Sequence, residues 1–198
     1  MRVIGIVGPA GAGKSTLARL LAREPGTAHL DLDALAWGTY APGGPAYAPL
    51  VARFGPGILR PDGTVDRGKL AQAAFSSPQA KADLERIVHP HVMGQVRAEA
   101  ERHRSAGTRL LLVEGALLLS SLHVDRSLFD ALLWLEVPLA ERRRRLLASG
   151  LDPEVVARRL RAQQDLAPPE DPRVHVIDGT GSPEEVARRV RELRDRLG

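Results

Sequence analysis

Val3-Ile4-Gly5-Ile6-Val7-Gly8-Pro9-Ala10-Gly11-Ala12-Gly13-Lys14-Ser15-Thr16 reads as an aliphatic strand, a glycine-rich turn and the opening of a helix that runs from Lys14 to about Arg23. The turn matches G-x-x-x-x-G-K-[ST] in full. Glycines let the main chain close around an anion. The loop N–H groups and the positive end of the helix point at that anion, and the Lys14 ammonium reaches its β- and γ-phosphates. Gly8, Gly11, Ala12, Gly13, Lys14, Ser15 and Thr16 are therefore candidates to bind a nucleoside triphosphate, and Ser15 to ligate Mg²⁺. Such a loop does not by itself separate a kinase from a GTPase, a motor or a switch.

Further strand signals lie at Ala28 to Leu32, Leu110 to Glu114, Leu132 to Val137 and Val174 to Ile177, with helix-like stretches between them. Short aliphatic strands alternating with helices imply a parallel five-stranded sheet flanked by helices. This is an α/β fold of the P-loop NTPase kind, with ligands beyond the carboxyl ends of the strands. The gap between the second and third strands is too long for one crossover, and residues 38–108 are read as a mostly helical insertion. Within it Arg67 to Phe75 and Pro78 to Arg104 look helical, with Pro90 expected to end one segment and begin the next. An arginine-rich helical segment, residues 138–164, follows the fourth strand. The core is then about 1–37, 109–137 and 165–198 of a single domain.

Composition narrows the function. The 198 residues contain no cysteine, which excludes disulfides and thiolate chemistry. The longest apolar runs fall far short of the roughly 20 residues that span a bilayer. The first residues lack the pattern of a secretory signal, so the expectation is a cytoplasmic protein without membrane partners. Only 4% of residues are aromatic, which argues against nucleic-acid binding by stacking despite a net charge of +4. Of 28 cationic residues, only Lys14, Lys69 and Lys81 are lysines. The arginines suit bidentate recognition of small phosphorylated molecules. A monomer or small homo-oligomer is expected.

His29-Leu30-Asp31-Leu32-Asp33 alternates with period two, so an extended reading sends both carboxylates to one side at the end of the second strand. A carboxylate there can orient an acceptor hydroxyl and take its proton during phosphoryl transfer, and Asp33 is the candidate. The competing reading makes either aspartate the cap of a helix starting near Ala34. Among Arg142 to Arg145, helical spacing puts Arg142 and Arg145 on one side, and at least two of the four are expected on a solvated face.

With these residues in place the chain resembles the dephospho-CoA kinase family, whose members join a GKST loop to a D-x-D segment. Phe54-Gly55, the Leu59 to Arg67 segment LRPDGTVDR, Leu70 and Phe75 are similar to the family's FG…G…R..L…F stretch. Leu84 to Pro90, LERIVHP, is similar to its LE.I.HP signature, Arg159 to Gln163, RLRAQ, to its lid motif, and Val176-Ile177-Asp178 to the start of its terminal loop. The resemblance covers about residues 2–195. It implies ATP-dependent phosphorylation of the ribose 3′-hydroxyl of dephospho-CoA, the last step of coenzyme A synthesis. It further implies Asp31, Asp33, Arg67, His89 and Pro90 on the acceptor side, and Arg145 and Arg159 delivered to the phosphates by a closing lid.

The chain departs from the family pattern at three places. Glu114-Gly115-Ala116-Leu117-Leu118-Leu119-Ser120 stands for D-x-P-L-L-x-E, so Glu114 is expected at most to hold a Mg²⁺-bound water. A lid arginine is missing near Ser149, and Gly179 replaces an asparagine. Two other readings are a nucleoside monophosphate kinase of the cytidylate type, which shares the loop, and a non-kinase P-loop switch. The D-L-D and H-P segments argue against the first, and the absence of N-K-x-D against the second.

Overall fold

The computed structural model describes residues 1–115, 118 and 124–196 of the chain. Strands β1 (Arg2–Val7), β2 (Thr27–Asp31), β3 (Leu110–Glu114), β4 (Ala131–Glu136) and β5 (Val174–Asp178) form one all-parallel sheet in the spatial order β2-β3-β1-β4-β5. Each expected strand is present to within a residue or two. Because side chains alternate along a strand, β1 feeds two separate cores. Ile4 and Ile6 pack with Leu17 and Leu21 of α1 (Lys14–Leu21) and with Val186 and Val190 of α8 (Pro183–Arg196). Val3 and Val7 face the opposite layer of α2 (Leu32–Thr39), α3 (Tyr47–Phe54), α4 (Arg67–Ala74) and α5 (Pro78–Ser105). Parallel strands buried on both faces explain the unbroken aliphatic runs in the sequence.

Three local expectations are corrected. Pro90 does not split its helix: α5 runs without interruption for 28 residues. An interior proline costs a helix about 3 kcal/mol, but α5 buries Ile87, Val88, Val92, Met93 and Val96 against the sheet, each worth about 1.5–3 kcal/mol, so packing outweighs the broken ladder. The segment 138–164 is two helices rather than one, α6 (Leu139–Ala148) and α7 (Pro153–Arg161). They meet at Gly150, whose φ of 83° turns the chain, and the Asp152 carboxylate caps α7 by accepting from the N–H groups of Glu154 and Val155. Third, β2 stops at Asp31 and the helix begins at Leu32, so the two aspartates do not share a strand face.

Candidate active site

The carboxyl ends of β1, β2 and β3 form one rim, where Asp31 of β2 and Ile6 of β1 both pair with Glu114 of β3. The phosphate loop rises from this rim into α1. Gly13 is the residue before that helix, in a left-handed conformation with φ 93°, and neither a side-chain cap nor an acidic residue occupies the first turn. The exposed N–H groups and the positive helix end therefore face the loop concavity unquenched, which is what an anion requires. Lys14 Nζ donates to the carbonyls of Gly8 and Pro9 at 2.9 and 3.2 Å, holding the ammonium across the loop. Burial pushes the Lys14 ammonium below its usual range, while the charges of Glu114 and Asp33 pull it back up.

The two aspartates divide the roles between them. Asp31 Oδ1 accepts from the N–H groups of Asp33 and Ala34, so Asp31 caps α2. That cap carries Asp33 into the first helical turn, where its carboxylate is open to solvent but crowded by charge. Partial desolvation, then the neighbouring Asp31 and Glu114 carboxylates, push Asp33 above its usual range, with Lys14 opposing. The charges of Lys14 and Asp33 thus act on each other at the rim.

Glu114 is 3% exposed, and its Oε1 lies 3.7 Å from Nε2 of His29; neither atom has a hydrogen-bond partner. Burial raises the Glu114 carboxyl, but the His29 ring, the Ser15 hydroxyl and the Lys14 charge outweigh it and hold it below its usual range. The carboxylate is therefore ionised beside Ser15. A serine hydroxyl and an orphaned buried carboxylate oxygen are hard donors, and they fit Mg²⁺ carried largely by phosphates and water. Among the described residues no cluster of three or more His, Cys, Asp or Glu could hold a metal ion. Of the segment after Glu114, only Gly115 and Leu118 lie within the described residues.

The helix pair α6–α7 sits against the loop. Leu146, Val156 and Leu160 make a small core that Ala10 of the loop joins. Gln163 Oε1 accepts from the Ala10 N–H at 2.6 Å. Arg142, expected beside Arg145, is 7% exposed and its Nε donates to the Ala10 carbonyl at 2.9 Å, making it a strut between helix and loop. Arg145 binds Ala12 O, Gly179 O and Gly181 O at 3.0–3.3 Å, and its Nε donates to Glu141 Oε1 at 2.8 Å. Arg143 and Arg144 are the exposed pair. Arg159 is exposed on α7, and the structure gives it no contact with the loop.

Arg145 walls a cavity of about 370 Å³ that opens beside Thr16, Leu17 and Leu135 and reaches Gly179 and Pro183, a size and lining suited to a nucleoside. A Cβ at Gly179 would lie 2.6 Å from Val137 Cγ2, so this chain has no room there for a side chain and presents backbone instead.

Of the residues expected on the acceptor side, Arg67 opens α4 directly after its cap Asp66, and its guanidinium carbon sits 3.9 Å from the centroid of the Trp37 ring on α2. The Tyr40 phenol, raised by burial, feels the charges of both Arg67 and Asp33, which ties Arg67 to the rim. His89 is half-buried and Pro90 exposed, both on α5 behind α2. The sequence reading passed over Arg142 as a strut, Gln163, His29 and Trp37. Gln163 had been quoted within its motif and His29 at the strand end, but nothing in spacing alone distinguishes a buried arginine from its solvated neighbours.

Comparison with known proteins finds relatives over nearly the whole chain. A family profile described as dephospho-CoA kinase matches residues 2–180. The protein named dephospho-CoA kinase in Symbiobacterium thermophilum is 36% identical over 183 residues, 92% of this chain and 75% of that one. Its namesake in Ralstonia nicotianae is 40% identical over 191 residues, 92% of this chain and 91% of the other. A solved protein of Thermus thermophilus has a TM-score of 0.76 at 33% identity, covering 100% of this chain and 98% of that one. The dephospho-CoA kinase of Campylobacter jejuni has a TM-score of 0.64 at 17% identity, covering 100% and 98%, a likeness of fold.

Proposed function

This chain belongs to the dephospho-CoA kinase family, and we propose that its rim transfers the γ-phosphoryl group of ATP to the ribose 3′-hydroxyl of dephospho-CoA through the residues described above. The activity itself, that of a kinase in coenzyme A biosynthesis, follows from family membership. The residue roles rest on the meeting of Lys14 and Asp33 across one rim, between a loop built for phosphates and an insertion that carries Arg67.

Residues 38–108 hold the acceptor and 138–164 form the lid. The loop amides from Gly8 to Thr16 cradle the triphosphate, and the base enters the cavity beside Arg145. Asp33 accepts the 3′-hydroxyl proton as the oxygen attacks the γ-phosphorus, and the bond to the β,γ-bridging oxygen breaks to leave ADP. Its raised pKa makes it the stronger proton acceptor. Lys14 and Arg145 neutralise charge on the transferring group, and lid closure would bring Arg159 to join them. Ser15 would hold Mg²⁺ and Glu114 its water; when bound, the ion supplies neutralisation of the β- and γ-oxygens. Arg67 engages the acceptor pyrophosphate, with Asp31, His89 and Pro90 shaping the site around it.

Incubation with ATP, Mg²⁺ and either dephospho-CoA or CMP tests this reading. Coenzyme A and ADP are the expected products; formation of CDP without coenzyme A would overturn it.

A further inference from the structure

Helix α2 and its C-terminal cap carry three residues of the acceptor side at intervals that repeat on one helical face. Asp33, Trp37 and Tyr40 stand at i, i+4 and i+7, while Leu32 and Thr39 face the interior and are fully buried. Trp37 is 46% exposed, and the face of its indole is covered by the Arg67 guanidinium at 3.9 Å. A large aromatic ring kept half in solvent, with a cation laid on it, is not core packing. Among the described residues the structure gives Arg67 no carboxylate partner, and the Trp37 ring is the side chain it rests on.

We infer that Trp37 is a positioning residue for the kinase reaction: its ring fixes the Arg67 guanidinium flat, with the N–H edge turned to the 5′-pyrophosphate of an acceptor whose 3′-hydroxyl lies at Asp33. A guanidinium that stacks on a ring keeps all five N–H donors free in its own plane, whereas one paired to a carboxylate spends two of them. The stack also removes rotamer freedom before the acceptor arrives, which is affinity gained without a new contact to the ligand. Spacing agrees, since four residues of helix separate Asp33 from Trp37 by about 6 Å along the axis. That is comparable to the span from the 3′-oxygen to the 5′-phosphate of one nucleotide. The Tyr40 phenol, one turn beyond Trp37, senses the charges of Arg67 and Asp33 together. Trp37 thereby favours acceptors that carry a pyrophosphate over the bare nucleoside.

This inference rests on the acceptor reading given above, and its test separates the two. Steady-state kinetics would compare the wild type with Trp37→Ala, Trp37→Phe, Arg67→Gln and the double variant Trp37→Ala/Arg67→Gln. Trp37→Ala is expected to raise KM for dephospho-CoA roughly 3- to 30-fold, the range of a cation–π contact, with kcat and KM for ATP unchanged. Trp37→Phe, which keeps a ring face, is expected to recover most of the loss. The double variant should be no worse than Arg67→Gln alone, because Trp37 acts through Arg67. Adenosine, which lacks the pyrophosphate, should show the same inhibition constant against wild type and Trp37→Ala.

Additive losses in the double variant, a fall in kcat alone, or equal weakening toward adenosine would each overturn the inference. A Trp37→Ala protein that fails to fold leaves the Phe variant and the comparison of Arg67→Gln with adenosine to decide it. A wild-type protein inert toward dephospho-CoA would instead sink the acceptor reading itself. Binding has an independent readout, since Trp134 is 1% exposed and Trp37 is the solvent-facing indole of the two in the chain. Dephospho-CoA should alter the emission of wild type and leave that of Trp37→Phe flat.

Discussion

Gly11→Ala tests whether helix α6 rests directly on the phosphate loop. Gly11 has φ 80°, and a Cβ built there falls 2.7 Å from the Arg142 carbonyl oxygen and 3.0 Å from its Cα. Both obstacles are main chain, so no rotamer change relieves them. A left-handed conformation costs an L-residue about 1–2 kcal/mol, and an overpacked contact about 1–3 kcal/mol more. For a chain of this size each kcal/mol moves Tm by about 2–4 °C, so a fall of roughly 5–15 °C is expected. Part of the strain can be shed by moving α6 outward, which would displace Arg142 from Ala10 and Arg145 from Ala12. The variant should therefore also show a raised KM for ATP. Calorimetry and ATP-dependent kinetics on one preparation read both effects. Gly38→Ala serves as control: that glycine lies inside α2 with nothing within 4 Å, and alanine there should add about 0.5–1 kcal/mol of stability. A Gly11→Ala protein with wild-type Tm and unchanged ATP kinetics would refute the contact between loop and helix.

Asp33→Asn should lower kcat by roughly 10² to 10⁴ while leaving KM for ATP nearly unchanged; an unaffected turnover number would reduce Asp33 to a surface residue of α2. Because the base must be ionised and its pKa in the free protein is raised, the acid limb of the kcat/KM profile should lie above the ordinary aspartate value of 3.8, with rate lost as pH falls through that limb. A limb at or below 3.8 would contradict the crowding by Asp31 and Glu114. Gln163→Leu removes the acceptor for the Ala10 N–H, at about 1–3 kcal/mol for a donor left unsatisfied, and should speed amide exchange at Ala10 and in α7. Unaltered exchange would show that Gln163 does not fasten the lid. Glu141, held down to about 2 by Arg144 and Arg145, is ionised in the folded chain well below its ordinary 4.5. Its stabilising effect is present above 4.5 and lost as pH falls from there toward 2. Glu141→Gln should therefore flatten the loss of Tm over that interval, and an unchanged acid profile would remove the pair from the account.

The sequence alone settles whatever depends on a short run of chain. An aliphatic strand followed by G-x-x-x-x-G-K-S dictates both the fold class and the phosphate cradle, because backbone freedom, helix polarity and one ammonium are all local properties of residues 3–16. The strands were legible for the same reason, to within a residue or two. What packing decides was not legible. Pro90 stays inside α5 because burial against the sheet outweighs a local penalty, and Asp31 becomes the cap that frees Asp33 because the strand ends two residues earlier than its alternation suggests. Arg142 and Arg145 differ from Arg143 and Arg144 only in which side of α6 meets the loop. Trp37 and Arg67 are thirty residues apart in the chain, on separate helices, and a contact between separate helices leaves no trace in local spacing. The nucleotide site is thus written in consecutive residues. The acceptor site proposed for this chain draws on α2, α4 and the rim of the sheet, since its groups are distant in sequence and are joined by the tertiary fold.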